Sequence, residues 1–204
     1  VAYPDGVGGD NSDWNAGDCC GYPQAHNVDD IAFLRAVIAN ISSRSHVNRA
    51  RVYVAGFSDG ARMAYRVACE MSTEVAAVAA VSGSLETADC APARAVPVIA
   101  FHGTADESVP YDDSAHTDIP TSLPKNAYTL PPAVQFWLGA DRCRGMTSQV
   151  YVTHVVRTTG WGCSADVTFY SIAGGTHEWP DTDRGSAVSA SPIIARFFLA
   201  HALK

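Results

Sequence analysis

The chain has 204 residues, of which 47% are hydrophobic and 17% charged, a balance that suits one domain with a core and excludes a disordered chain. No run approaches the length of apolar sequence that a membrane span needs. The 14 Lys and Arg against 21 Asp and Glu give a formal charge of -7. With no basic run, nucleic acid and membrane are not expected partners, and a neutral substrate is allowed.

Residues 1–6 (VAYPDG) read as the end of a strand entering a turn. Residues 7–27, rich in Gly, Asn and Asp, read as a long loop. Asn27 followed three residues later by Asp30 predicts a helix start. Val28, Ile31, Leu34, Val37, Ile38 and Ile41 recur at helical spacing and predict an amphipathic helix over 28–44. A buried strand is predicted at 51–55, a turn at 56–60 and a helix at 61–71. The segments 75–81 and 96–101 are almost wholly apolar, as suits parallel strands covered on both faces. Residues 104–130 form a long excursion of the kind that lines functional sites. Pro131 and Pro132 open a helix reaching about residue 141. Strands follow at 150–156 and 167–172, and Pro192 starts a last helix whose Ile193, Ile194, Phe197, Phe198 and Leu199 are candidates for the buried face. Alternating helices and apolar strands predict an α/β fold with a mostly parallel sheet flanked by helices, spanning 1–204 as a single domain.

Six cysteines are present with no C-x-x-C pattern, and the adjacent Cys19 and Cys20 are poorly spaced as metal ligands. No metal is expected; disulfides are, and with them a secreted or periplasmic location. Cys143 and Cys163 bracket one predicted strand and make the simplest pair, whose closed loop would stabilise by ~3 kcal/mol. A bond between neighbours would strain their shared peptide. Cys19 and Cys20 are therefore expected to reach separately to Cys69 and Cys90, in either order.

The motif Gly56-Phe57-Ser58-Asp59-Gly60 is G-x-S-x-G between a predicted strand and a predicted helix. In that setting a serine sits on a sharp elbow with its hydroxyl exposed, and both glycines are expected to relieve close contacts. The Asp59 backbone N–H, at the helix N-terminus, is a candidate oxyanion donor. A serine hydroxyl needs a base, and the base an orienting acid. His177 follows the last strand by a short Gly174-Gly175-Thr176 loop, on the edge where the elbow lies. Asp106 follows the strand at 96–101 at the same edge, with Asp112, Asp113 and Asp118 as rivals. His26, His46 and His201 sit near predicted helix ends, His154 inside a predicted strand and His116 in the excursion. His102 with Asp106 is too thin a set for a metal pair. The chain order Ser58, Asp106, His177 is nucleophile, acid, histidine. Trp14, Trp179 and Trp161 are candidate substrate-binding walls, suited to an aromatic acyl group or a sugar face.

These pieces resemble the polyhydroxybutyrate-depolymerase-like and feruloyl-esterase-like group of α/β-hydrolases. The matching segments are VAYPDG at 1–6, WNAGDCCG at 14–21, VDDIAFL at 28–34, RVYVAGFSDGARMAYRVAC at 51–69, FHGTADESVPY at 101–111 and GGTHEWP at 174–180. The resemblance implies an α/β-hydrolase fold, hydrolysis of small-molecule or polymeric carboxylic esters, no cofactor and a secreted enzyme. It puts the same three residues, Ser58, Asp106 and His177, in the catalytic roles. Family members carry, upstream of the Tyr-Pro segment, a strand ending in His-Gly that supplies a second oxyanion donor. The chain is therefore expected to enter the sheet partway through. A peptidase of the same fold, or a weakly catalytic polymer- or carbohydrate-binding module, are the alternative readings.

Overall fold

Parallel strands buried on both faces need apolar side chains on alternate sides, and the chain supplies them. In the computed structural model, which describes residues 1–8, 12–111 and 130–203, β1 (Tyr53–Phe57), β2 (Ala77–Val81) and β3 (Val98–Gly103) pair side by side in parallel. β6 (Val167–Ile172) joins β3 in parallel, β5 (Val155–Trp161) adds antiparallel to β6, and β4 (Gly145–Val152) antiparallel to β5, giving the order β1-β2-β3-β6-β5-β4. β1 is an edge of this sheet.

Two apolar clusters follow from the alternation. Val78, Ala80, Val98, Ala100, Val167 and Phe169 face one side, covered by α3 (Asp59–Glu70) and α4 (Pro132–Ala140), with Tyr65 and Trp137 fully buried. Ala79, Val81, Ile99, Phe101 and Tyr170 face the other, covered by α5 (Ala190–Ala200) through Ile193 and Ile194. Among the described residues no helix is long and apolar enough to cross a membrane.

Several sequence expectations change. A short α1 (Gly21–Ala25) interrupts the predicted loop. α2 spans Asp30–Arg44, and its N-cap is Asp29, whose carboxylate accepts the Ala32 N–H at 2.9 Å; Asn27 lies outside with φ 50. Asp29 is the residue that flanks the first helical position, from which a side-chain oxygen reaches the N–H three residues on, and Asn27 stands two positions too early. The strand predicted at 150–156 is two strands. His154 takes φ 65 in a turn, and Val155 pairs back against Val152. The apolar residues on either side of that turn belong to different strands, which a run of like residues conceals.

The pairing of four cysteines is also corrected. Cys19 bonds to Cys20, with Cα atoms 3.1 Å apart across a cis peptide, and Cys69 bonds to Cys90. The cis arrangement brings both sulfurs to one side of their shared peptide. Cys69, at the end of α3, meets the loop that returns from β2. Cys143 and Cys163 pair as expected but enclose the whole β4–β5 hairpin rather than one strand.

Candidate active site

Ser58 stands between the end of β1 and the first turn of α3, with φ 55 and ψ -117. Its N–H donates to the Val81 carbonyl at 3.0 Å, and its own carbonyl accepts from Ala61 and Arg62 N–H at 3.0 and 3.2 Å. The main chain on both sides is thus fixed, and a left-handed φ is held where a side chain seldom adopts it. Gly56 allows the close turn, because a Cβ there would overlap the Gly60 carbonyl. Gly60 itself has open space at its Cβ position, so the expected second close contact is absent. The Asp59 N–H opens α3 and is one of the donors that a helix leaves without an internal acceptor.

The acid comes from the loop after β3. That loop is tied to the β6 loop: Thr104 N–H donates to Ile172 O, Ala105 N–H to Gly175 O and Gly174 N–H to Thr104 Oγ1, each at 2.9 Å. The two loops can meet only because residue 103 is glycine; a Cβ there would strike the Gly175 backbone. The Asp106 carboxylate is wholly buried. Oδ1 accepts the Val109 and Ser108 N–H groups at 2.8 and 3.0 Å. Oδ2 lies 2.9 Å from His177 Nδ1 and 3.4 Å from His102 Nε2. Burial works against ionisation here, but the bonds from His102, Val109 and His177 outweigh it and hold the carboxyl well below the ordinary range.

His177 completes the set. Nδ1 faces Asp106 Oδ2, and Nε2 lies 2.8 Å from Ser58 Oγ. An ionised carboxylate can only accept, so Nδ1 carries the proton and the Nε2 lone pair receives the serine O–H. Phe57 packs beside the imidazole with ring centroids 4.8 Å apart. Ser58, Asp106 and His177, three residues singled out in sequence, thus lie in one hydrogen-bonded line. The rivals Asp112, Asp113 and Asp118, and His116, lie outside the described residues.

The tryptophans separate. The Trp14 N–H donates to Asp59 Oδ2 at 2.6 Å, placing residue 14 beside the elbow. Asp59 Oδ1 is buried without a partner, and burial pushes this carboxyl up. Trp179 follows His177 closely, but its indole N–H is anchored on Ser191 Oγ at 3.0 Å and its ring packs on the α5 side. Trp161 is corrected: it pairs with Gly145, beyond the Thr159–Thr168 pair near the start of β6, so it stands at the opposite end of the sheet from Ser58. Antiparallel β5 runs away from the site, and sequence position alone could not say so. His26 and His201 sit at helix ends, donating Nδ1–H to the Tyr22 and Phe197 carbonyls at 2.9 and 2.7 Å. His102 was the functional-site residue least visible in sequence. Its signal was the four-residue spacing to Asp106, which suggests contact but not a buried bond.

A family model described as the dienelactone hydrolase family matches residues 16–130. Feruloyl esterase B of Piromyces equi is 37% identical over 118 residues, covering 55% of this chain and 21% of that protein. Feruloyl esterase C of Emericella nidulans is 28% identical over 174 residues, covering 85% of this chain and 59% of that protein. The chain therefore spans only part of the length of the curated relatives it matches. Among solved structures, an acetyl xylan esterase from Aspergillus awamori superposes with a TM-score of 0.53 at 16% identity, over 80% of this chain and 66% of that one. That likeness carries the fold, which is the α/β-hydrolase fold.

Proposed function

The chain belongs to the dienelactone hydrolase family, and from that membership we propose that it is a serine esterase hydrolysing carboxylic esters through an acyl-enzyme. The observation that carries this reading is the line Asp106 Oδ2–His177–Ser58 Oγ, with separations of 2.9 and 2.8 Å.

Ser58 Oγ attacks the ester carbonyl carbon while its proton passes to His177 Nε2. The carbonyl π-electron pair moves to oxygen, and the Asp59 N–H stabilises that oxyanion. Asp106 fixes the imidazole tautomer and balances the charge that the ring gains. As the tetrahedral adduct collapses, the C–O bond to the alcohol breaks and His177 returns the proton to the leaving oxygen. Water then repeats the sequence on the acyl-serine and releases the acid.

The feruloyl esterases among the relatives support feruloyl or other aryl esters as substrate, with hydroxyalkanoate and short-chain esters as the competing acyl groups. The three disulfides support an extracytoplasmic location. Residues 1–204 act in this reading as one catalytic domain.

Labelling with an organophosphonate tests the reaction. Wild type is expected to form one adduct at Ser58 and Ser58→Ala none, with turnover reduced by about 10⁴-fold or more. An unlabelled Ser58 with no ester turnover favours a binding module, and turnover that survives Ser58→Ala removes the acyl-serine mechanism. Rates on methyl ferulate, p-nitrophenyl alkanoates of several lengths and polyhydroxybutyrate then rank the acyl groups.

A further inference from the structure

A concavity lies away from Ser58, on the face of the sheet that α5 only partly covers. α5 shields β2 and β3 on this side, while β6, β5 and β4 continue beyond it. The gap holds a cavity of about 440 Å³. Its floor is apolar, made by Ile99, Ile193 and Phe197. Ile99 pairs with Thr168, the second residue of β6, and Thr168 with Thr159. The cavity therefore sits toward the starts of the parallel strands, whereas Ser58, Asp106 and His177 follow their ends.

Its walls are cationic and aromatic. Arg157 pairs across the strands with Tyr170, and its guanidinium lies against the Tyr170 hydroxyl. A break in the β4–β5 register between Val150 and Val152 leaves Tyr151 unpaired. Such a bulge re-aims a side chain. The Tyr151 ring lies beneath Arg157, 5.7 Å from centroid to guanidinium carbon, and meets Tyr170 edge-on at 5.2 Å. Arg196 enters from α5.

Among the described residues, no carboxylate lines the cavity. Among the described residues, neither Arg157 nor Arg196 takes part in an ion pair. Arg157 Nε is buried without a partner, an arrangement that costs free energy unless an acceptor arrives. Two guanidiniums outside any ion pair among the described residues, in a protein of net charge -7, one of them over a tyrosine ring and both beside an apolar floor, are matched in chemistry by one kind of ligand. We propose that this cavity is a second binding site for a small ring-bearing carboxylate. The carboxylate would meet Arg157 and Arg196, and the ring would lie against Tyr151 and the apolar floor.

Aromatic acids and uronic-acid sugars share that chemistry, and calorimetry on the full chain separates them. The probes are 4-hydroxybenzoate and glucuronate, with 4-hydroxybenzamide and glucose as uncharged counterparts. The acid of at least one pair is expected to bind about tenfold or more tightly than its counterpart, and the tighter acid identifies the ring. Arg157→Gln and Arg196→Gln should each weaken it about tenfold, while Ser58→Ala leaves it unchanged. Arg196 is exposed on α5, so its variant keeps the fold. The arginine variants should also leave ester turnover unaltered. No binding at millimolar concentration, equal binding of the uncharged probes, or binding that ignores both arginines overturns the proposal. So does a probe that competes with the ester and is lost on altering Ser58.

Discussion

His102 stands behind Asp106: its Nε2 is 3.4 Å from the carboxylate Oδ2 and donates to the Val109 carbonyl at 2.8 Å. One buried imidazole therefore holds both the acid and the far side of the turn whose Val109 N–H binds the same carboxylate. Replacing it with leucine removes a group that lowers the Asp106 pKa. His102→Leu should cut kcat about tenfold with little change in KM, and the fall of kcat/KM on acidification should begin at higher pH. His102→Gln, which keeps a donor, should recover part of the loss. Because the folded pKa of Asp106 is depressed, its contribution to stability is full above the ordinary carboxylate range. It is lost as pH falls through the folded value, so His102→Leu should lose less stability than wild type over that interval. Unchanged profiles would reduce His102 to a packing residue.

The two elbow glycines should behave oppositely. Gly56→Ala forces a Cβ into the Gly60 carbonyl. A shift of the elbow by about 1 Å costs turnover about 10²-fold. Gly60→Ala meets no atom and replaces a helical glycine, so stability should hold or rise by up to ~1 kcal/mol. Thermal melts and ester turnover on the two variants check this.

Asp141 is fully buried beyond α4; Oδ1 accepts the Val96 N–H at 3.1 Å and Oδ2 has no partner. Burial pushes its carboxyl up from 3.8 to about 7, against the Val96 N–H and Arg94. The folded state keeps a proton in that interval that the unfolded chain has released. This contribution to stability is full below 3.8 and drains away as pH rises to about 7, on the order of 2–4 kcal/mol. Asp141→Asn removes the titration, so its Tm should gain on wild type as pH rises from 3.8 to about 7. Parallel Tm curves would remove the assignment.

Cys69 and Cys90 close a loop across 21 positions between α3 and the chain after β2. Replacing both with alanine should lower stability by ~3 kcal/mol, read from urea midpoints, with kcat per folded molecule unchanged. A stability loss under about 1 kcal/mol would point to residual order in the unfolded chain.

Trp161 is 53% exposed and sits at the far end of the sheet. Trp161→Ala should leave kcat/KM within about twofold for every ester that the chain cleaves, as expected of a surface change remote from the site. A selective loss on aryl esters would place it in a substrate path.

What could be read in the sequence was chemistry tied to local backbone. The G-x-S-x-G elbow, the acid after β3 and the histidine after β6 each follow a strand, and apolar runs identify strands well. What could not be read depended on contacts between distant segments. The turn at His154 contains neither glycine nor proline, so β4 and β5 merged into one run. Cys19 and Cys20 offered no spacing from which to infer that they bond to each other. The edge at which Trp161 lies is decided by the antiparallel direction of β5. The acid's second support, His102, became visible only when the loop folded back upon it.

Ser58 and His177 are 119 positions apart, and Asp106 and His177 are 71 apart. No short stretch of chain contains the reacting line. It exists only when β1, β3 and β6 are all in register, and such distant pairings close late compared with local helices. Recovered turnover after denaturation is thus a clock for completion of the parallel sheet. It should lag the return of helical signal, and the interval between the two measures how long the chain carries its helices without its chemistry.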